Sequence, residues 1–142
     1  MFAPGRAAEM KYFLIQYDRI ENDPLLRGKV VFDGWGNDMA EWYARIDHVL
    51  SPSDHESFHY AVADGALCGC DPLIWPWEEA DGIYPGEWIV ADAAAAAQRI
   101  VDFRMMDSAA RQERLQANRE ALIARYGYRK IYQQLDAILG LA

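Results

Sequence analysis

Short apolar runs alternate with helical patterns through the first two thirds of the chain. Helical spacing of apolar residues predicts a helix over 9–20, and Asp38, Ser53 or Asp54 can cap two further helices. Four short apolar runs predict strands: Lys29–Phe32, His48–Leu50, Pro72–Trp75 and Trp88–Val90. Because strands that alternate with helices are typical of an α/β fold, we expect a parallel sheet of about four strands with flanking helices.

The last third of the chain follows helical patterns only. Asp92 can cap an alanine-rich helix, and Asp107 or Ser108 can start another that ends near Arg125. A last helix is predicted from Tyr128, with one apolar stripe: Ile131, Tyr132, Leu135, Ile138 and Leu139. We therefore expect a helical C-terminus, a loose tail over 1–8 and a single domain over 9–142.

Length and composition agree with one globular domain. The chain has 142 residues, of which 52% are hydrophobic and 25% charged. No apolar run is long enough to span a membrane, and Glu9 and Lys11 interrupt any signal peptide at the start. We expect a cytoplasmic protein without a membrane span. Its two cysteines, Cys68 and Cys70, are too close for a useful disulfide and too few for a structural zinc site.

The charges are unevenly distributed. A net charge of −8 argues against nucleic-acid binding, which needs a basic surface. The segment 46–98 contains ten Asp and Glu residues and neither Lys nor Arg. A phosphate bound there would need backbone N–H groups at the start of a helix, or cations from elsewhere.

The segment His55-Glu56-x-x-His59 matches the sequence pattern of a zinc-protease motif. Such a motif needs a helix interior that places both imidazoles on one face. Here Pro52 and Ser53 place His55 in the first turn of the predicted helix or before it. We therefore expect no metal site, and zinc-dependent hydrolysis is the weakest of the functional hypotheses.

Two carboxylates in the same stretch, Glu56 and Asp64, are eight residues apart. On one helix they would lie about two turns, or roughly 12 Å, from each other. They could then hold two ends of an elongated ligand. Alternatively, the charge of Glu56 only stabilises the helix at its positive end, and Asp64 is only a solvent-exposed residue.

The residues from Glu56 to Ala66, followed by Gly69-Cys70-Asp71-Pro72, resemble the signature of family 4 glycosyltransferases of the GT-B fold. That signature is approximately E-G-F-G-L-x-x-x-E-A-M-A-x-G-x-P-V-I. Four neighbouring segments also resemble the family, in the right order over about residues 25–140: Val30–Gly34, Asp47–Ser53, Ala80–Ile83 and Arg125–Tyr128.

The resemblance implies the Rossmann-like, nucleotide-sugar-binding half of a retaining glycosyltransferase. Glu56 would be the catalytic residue that contacts the donor sugar, and Asp64 would accept hydrogen bonds from the ribose. Backbone N–H groups of Ser57, Phe58 and His59 would meet the sugar or the diphosphate. Gly34 would lie near the base. The family needs no metal for its chemistry, so we expect no cofactor besides the donor substrate.

The chain also departs from the family pattern. Asp64 stands where the family usually has Glu, and Ser57 and His59 stand where it has glycines. Two strands and a segment that supplies an Arg and a Lys for the diphosphate have no counterpart here, nor does the acceptor-binding half. We therefore expect a partner glycosyltransferase chain or a homo-oligomer. The alternative hypothesis is a truncated fragment or partner subunit that keeps the fold without catalysis.

Overall fold

A computed structural model describes the backbone of residues 7–140 and the side chains of residues 10–140. The described chain divides into two compact units, Met1–Gly36 and Asn37–Ala142. The predicted tail over 1–8 lies mostly outside the described residues. Within 7–140, no helix has both the length and the apolar character needed to cross a bilayer.

The first unit consists of helix α1, Ala7–Asn22, followed by a turn and a coil. Arg27 Nε donates a hydrogen bond to the carbonyl of Glu21, and the rings of Tyr17 and Phe32 pack 5.3 Å apart. The predicted strand at Lys29–Phe32 is wrong, because this segment is coil with exposed side chains. A short apolar run forms a strand only where a second strand takes up its backbone hydrogen bonds.

The second unit contains two parallel strands joined through a helix. Strand β1, His48–Ser51, pairs with strand β2, Asp71–Ile74, with His48 beside Asp71 and Ser51 beside Ile74. The remaining elements of this unit are helices, listed in chain order: α2 Met39–Tyr43, α3 Tyr60–Leu67, α4 Ala80–Ile83, α5 Ala93–Met105, α6 Ser108–Tyr126 and α7 Tyr128–Leu139. The described fold is therefore mixed α/β and mostly helical, with α3 as the crossover between its strands.

The prediction of about four strands is wrong, since the described residues form two. Trp88 ends a short 3₁₀ helix, Gly86–Trp88, and Ile89 forms one isolated parallel bridge with Ile74. The side chain of Trp88 is fully buried, and its Nε1 donates to Asn118. Burial of this side chain accounts for the apolar run that suggested a strand.

Three predicted helix starts are confirmed by their capping contacts. The carboxylates of Asp38, Asp92 and Asp107 each accept a hydrogen bond from the backbone N–H three residues later, at 2.8–2.9 Å. Helix α3 ends before Gly69, whose positive φ of 98° is a backbone conformation that glycine adopts readily.

The predicted start of α3 at Ser53 or Asp54 is wrong. The helix begins at Tyr60, after an N-cap at His59 that makes no side-chain capping bond. Ser53 Oγ instead donates to Glu56 Oε1 at 2.8 Å, so its side chain holds a loop together. Residues 52–59 therefore form a loop between the carboxyl end of β1 and α3.

The main core lies between α3, the segment that follows β2, and α6. It contains nine buried residues: Val62, Ala63, Ala66, Ile74, Trp77, Ala80, Tyr84, Trp88 and Leu122. Phe58, from the loop before α3, packs against this core together with Tyr126. The loop that carries the predicted site is thus anchored to the most buried part of the unit.

Candidate functional site

The candidate site is the loop 52–59 with the first turns of α3. Ser51 is fully buried at the end of β1, and its Oγ shares a hydrogen bond of 2.6 Å with His59 Nδ1. The same nitrogen lies 4.0 Å from Glu56 Oε1, which also accepts the hydrogen bond from Ser53. These contacts fold the loop back, so that Glu56 lies beside the start of the helix.

Ser51, His59 and Glu56 do not form a hydrolytic triad. In a triad, one imidazole nitrogen contacts the nucleophile and the other contacts the carboxylate. Here Ser51 and Glu56 both approach Nδ1, and Ser51 is buried. This arrangement fixes the position of Glu56 rather than activating a serine.

Tyr84 supports the loop from the core side. Its hydroxyl donates to the carbonyl of His59 at 3.0 Å, the same carbonyl that accepts the N–H of Val62. Burial raises the pKa of Tyr84 to about 12, and the negative charges of Glu56 and Asp64 raise it as well. The negative charges of both carboxylates therefore affect the pKa of one buried hydroxyl, although only Asp64 belongs to α3.

Asp64 and Phe58 border an apolar groove of about 610 Å³ between α3, α6 and α7. Asp64 is exposed, whereas the ring of Phe58 contacts Tyr84 and Tyr126 at 5.3–5.7 Å. Among the described residues that line the groove, Asp64 carries the only ionisable carboxylate. The groove thus combines aromatic walls with one carboxylate at its edge.

The structure brings most of the predicted site residues together, but not in the predicted arrangement. Glu56 and Asp64 do not share one helix, because Glu56 lies four residues before Tyr60, where α3 begins. Ser57 is exposed in the loop, next to Glu56. Gly34 lies in the first unit, where it is exposed in coil.

The zinc motif lacks the helix that it would need. His55 is exposed in the loop and His59 is the N-cap of α3, so the two imidazoles do not project from a common helix face. Within residues 10–140, whose side chains the structure describes, no group of three or more His, Cys, Asp or Glu has an arrangement that could hold a metal ion.

A buried ionic network lies at the opposite, amino end of the strands, and the sequence did not predict it. Asp71 is fully buried at the start of β2 and accepts two hydrogen bonds from Arg114, at 2.8 and 3.1 Å. Arg99 approaches the same carboxylate at 3.4 Å, and Asn118 Nδ2 donates to it at 3.1 Å. A buried charge needs such partners, so Asp71 fastens α5 and α6 to the sheet.

This network also determines where positive charge is placed. Arg99 and Arg114 lie at the amino end of β2, whereas the loop that carries Glu56 leaves the carboxyl end of β1. Because the two strands are parallel, the amino end of β2 and the carboxyl end of β1 lie at opposite ends of the strands. Both arginines contact Asp71 at that end, whereas a phosphate beside Glu56 would lie at the other end of the strands. The only signal for the network in the sequence was a charged residue, Asp71, beside an apolar run.

No protein-family model, curated protein or solved structure matches the chain. Function is therefore inferred from the residues of the loop, α3 and the groove.

Proposed function

We propose that the chain is the nucleotide-sugar-binding domain of a retaining glycosyltransferase. The observation that supports this most is the loop after β1, which holds Glu56 beside the start of the crossover helix α3. Ligands of open parallel α/β sheets bind beyond the carboxyl ends of the strands, where this loop lies. The bond between the sugar and the nucleoside diphosphate would break, and a bond to an acceptor hydroxyl would form with retention of configuration. The departing phosphate would take the proton of that hydroxyl.

Glu56 would contact the donor sugar. Its side chain is 30% exposed, and its carboxylate accepts a hydrogen bond from Ser53 and lies 4.0 Å from His59 Nδ1. A carboxylate held in this way loses little conformational entropy when it binds a hydroxyl group. His59 Nε2 faces neither Ser51 nor Glu56 and could donate to the same sugar.

Asp64 would bind the ribose. It is exposed on α3, at the edge of the groove that Phe58 lines. A carboxylate there could accept hydrogen bonds from both ribose hydroxyls, while the aromatic wall covers an apolar face of the ligand. The side chain is one methylene shorter than the Glu of the family, so the ribose would approach α3 more closely.

The diphosphate would depend on backbone N–H groups near the start of α3, from Ser57, Phe58 and His59. The positive end of a helix attracts anions, but it replaces only part of the charge of an Arg and a Lys. The segment 46–98 supplies neither residue. Binding of a donor to this chain alone would therefore be weak, in the millimolar range, and a partner chain would supply the missing cations.

Isothermal titration with UDP-, GDP- and ADP-sugars tests this proposal. We expect millimolar binding of one of them, and Asp64→Ala should weaken it about tenfold because two charge-assisted hydrogen bonds are lost. Asp102→Ala, at an exposed position on α5, is the matched control and should leave the affinity unchanged. Equal affinity of wild type and Asp64→Ala would contradict the role given to Asp64.

A second candidate is a partner subunit that keeps the fold without catalysis. The observation that favours it is the absence of Lys and Arg from the segment that carries the loop. Co-purification of a second glycosyltransferase chain, with no nucleotide-sugar binding by this one, would favour this candidate. Zinc-dependent hydrolysis would require stoichiometric zinc in protein purified without a histidine tag.

A further inference from the structure

A cavity of about 560 Å³ lies between α5 and α6, beside Asp71 at the amino end of β2. Its lining contains two arginines, Arg99 and Arg114, and both of them contact the buried carboxylate of Asp71. The loop that carries Glu56 follows the carboxyl end of β1, at the other end of the strands. The cavity is therefore separate from the nucleotide-sugar site proposed above.

The charges beside this cavity do not balance. The Nε atoms of Arg99 and Arg114 lie 3.4 and 2.8 Å from oxygens of Asp71, so two guanidinium groups share one carboxylate. Asp71 is the only buried carboxylate among the described residues. His48 lies 3.7 Å from it, and burial lowers the pKa of His48 from 6.5, so the imidazole is neutral at pH 7. One positive charge is therefore left without a buried counter-charge.

Arg99 is the arginine whose hydrogen bonding is incomplete. Arg114 donates two hydrogen bonds to Asp71, at 2.8 and 3.1 Å, whereas Arg99 donates one, from Nε at 3.4 Å. Neither Nη atom of Arg99 has a hydrogen-bond partner among the described residues, and both remain accessible although the side chain is only 15% exposed. Burial lowers the pKa of Arg99 despite the attraction of Asp71, but a guanidinium group stays protonated at pH 7. Arg99 therefore lacks an anionic partner of its own.

The two carboxylates in the wall of the cavity do not supply that partner. Glu87 and Asp102 line the cavity, but both are exposed, and neither forms an ion pair with Arg99 within residues 10–140. Asp102 instead accepts a hydrogen bond from Gln98 at 2.8 Å. Their negative charges repel a doubly charged anion more strongly than a singly charged one. The lining thus favours a ligand with a single negative charge.

We propose that this cavity binds a small organic monocarboxylate. The ligand would accept hydrogen bonds from the Nη atoms of Arg99 and from Arg114 Nη1, the one nitrogen of that guanidinium group that Asp71 leaves unpaired. A planar guanidinium group matches a planar carboxylate, because the two can form a pair of parallel N–H···O bonds. The ligand supplies the negative charge that Asp71 alone does not provide. The proposal does not depend on nucleotide-sugar binding, since the two sites share no residue.

Isothermal titration of the full chain with sodium acetate, at pH 7 and constant ionic strength, tests the role of Arg99. We expect a dissociation constant in the millimolar range for the wild type, and about tenfold weaker binding for Arg99→Gln, because the bidentate partner of the ligand is lost. Arg104→Gln, at an exposed position on the same helix, removes the same charge and should bind acetate as the wild type does. Absence of acetate binding to the wild type, or equal affinity of the wild type and Arg99→Gln, would overturn the proposal.

Ala117→Glu tests the cavity while both arginines stay in place. Ala117 lines the cavity and is exposed on α6, so a glutamate there leaves the core intact and adds a negative charge to the wall. Acetate binding should weaken about tenfold, because the new carboxylate repels the ligand or takes its place on Arg99. Ala124→Glu, at an exposed position on α6 outside the cavity, is the matched control and should leave the affinity unchanged. Acetate affinity that Ala117→Glu leaves unchanged would place the anion outside the cavity and refute the proposal.

A titration of the wild type with inorganic phosphate tests the chemical class of the ligand. Phosphate at pH 7 is largely a dianion, which Glu87 and Asp102 repel more than they repel acetate. We therefore expect phosphate to bind about fivefold more weakly than acetate at the same ionic strength. Phosphate binding as tight as that of acetate, or tighter, would contradict the assignment of a monocarboxylate.

Discussion

At the scale of single residues, buried polar groups decide how the loop and the sheet are held. Tyr84, in the core, donates a hydrogen bond to the carbonyl of His59, and Asp71 accepts hydrogen bonds from α6. His48, at the start of β1, is mostly buried beside Asp71, and neither of its nitrogens has a hydrogen-bond partner among the described residues. These residues yield two predictions.

Tyr84→Phe should destabilise the protein by about 1 kcal/mol, because a buried hydrogen bond is lost while the ring keeps its packing. The carbonyl of His59 still accepts the N–H groups of Val62 and Ala63, which limits the loss. Urea unfolding of wild type and variant measures the difference. Unchanged stability would mean that the hydroxyl does not support the start of α3.

His48 should make stability depend on pH. Burial lowers its pKa from 6.5, against the opposing effect of nearby Asp71. The contribution of His48 to the free energy of unfolding is therefore fully present above pH 6.5. It is lost as the pH falls below 6.5, because the imidazole then binds a proton more readily in the unfolded chain than in the folded one.

The stability difference between wild type and His48→Phe measures this effect. As the pH falls below 6.5, wild type should lose up to about 1.4 kcal/mol per pH unit relative to the variant. His55→Phe, in the exposed loop, is the control. A wild type that gains relative to His48→Phe in acid would show that the attraction of Asp71 outweighs burial.

At the scale of elements, the helix starts that the sequence predicted correctly are those set by a capping side chain within one turn. Aspartates that cap helices act within one turn, so the starts of α2, α5 and α6 were predictable from single residues. The start of α3 was not, because Ser53 pairs with Glu56 and the loop is held by Ser51 and Tyr84, which belong to other elements. The apolar run at Trp88 resembled a strand because the sequence does not distinguish strand pairing from burial of one large side chain.

Close packing of α3 on β1 gives a prediction at this scale. A Cβ at Gly65 would lie 2.9 Å from Val49 Cγ1 and 3.0 Å from Val49 Cβ. Gly65→Ala should therefore destabilise the protein by about 1–3 kcal/mol despite the better helix propensity of Ala. Gly82→Ala, on α4, is the control, since nothing lies within 4 Å of the added Cβ. Thermal unfolding compares the two, and equal melting temperatures would contradict the packing argument.

At the scale of the whole molecule, the sequence indicated an α/β fold but not the size of its sheet. The partners of Asp71 lie 28 to 47 residues away along the chain, so no local pattern could reveal them. Glu56, Ser57, Phe58 and His59 lie in one loop, next to the helix that contains Asp64. The roles that we propose for them in sugar transfer rest on the family resemblance and on the chemistry of the loop.

The most direct test of that proposal is an NMR titration of the isotope-labelled chain with UDP-, GDP- and ADP-sugars. Binding at the loop should shift the amide signals of Ser57, Phe58 and His59 most, with saturation in the millimolar range, and Glu56→Gln with Asp64→Ala should abolish those shifts. The absence of any shift at millimolar concentration, or shifts confined to residues outside the loop, α3 and the groove, would contradict it.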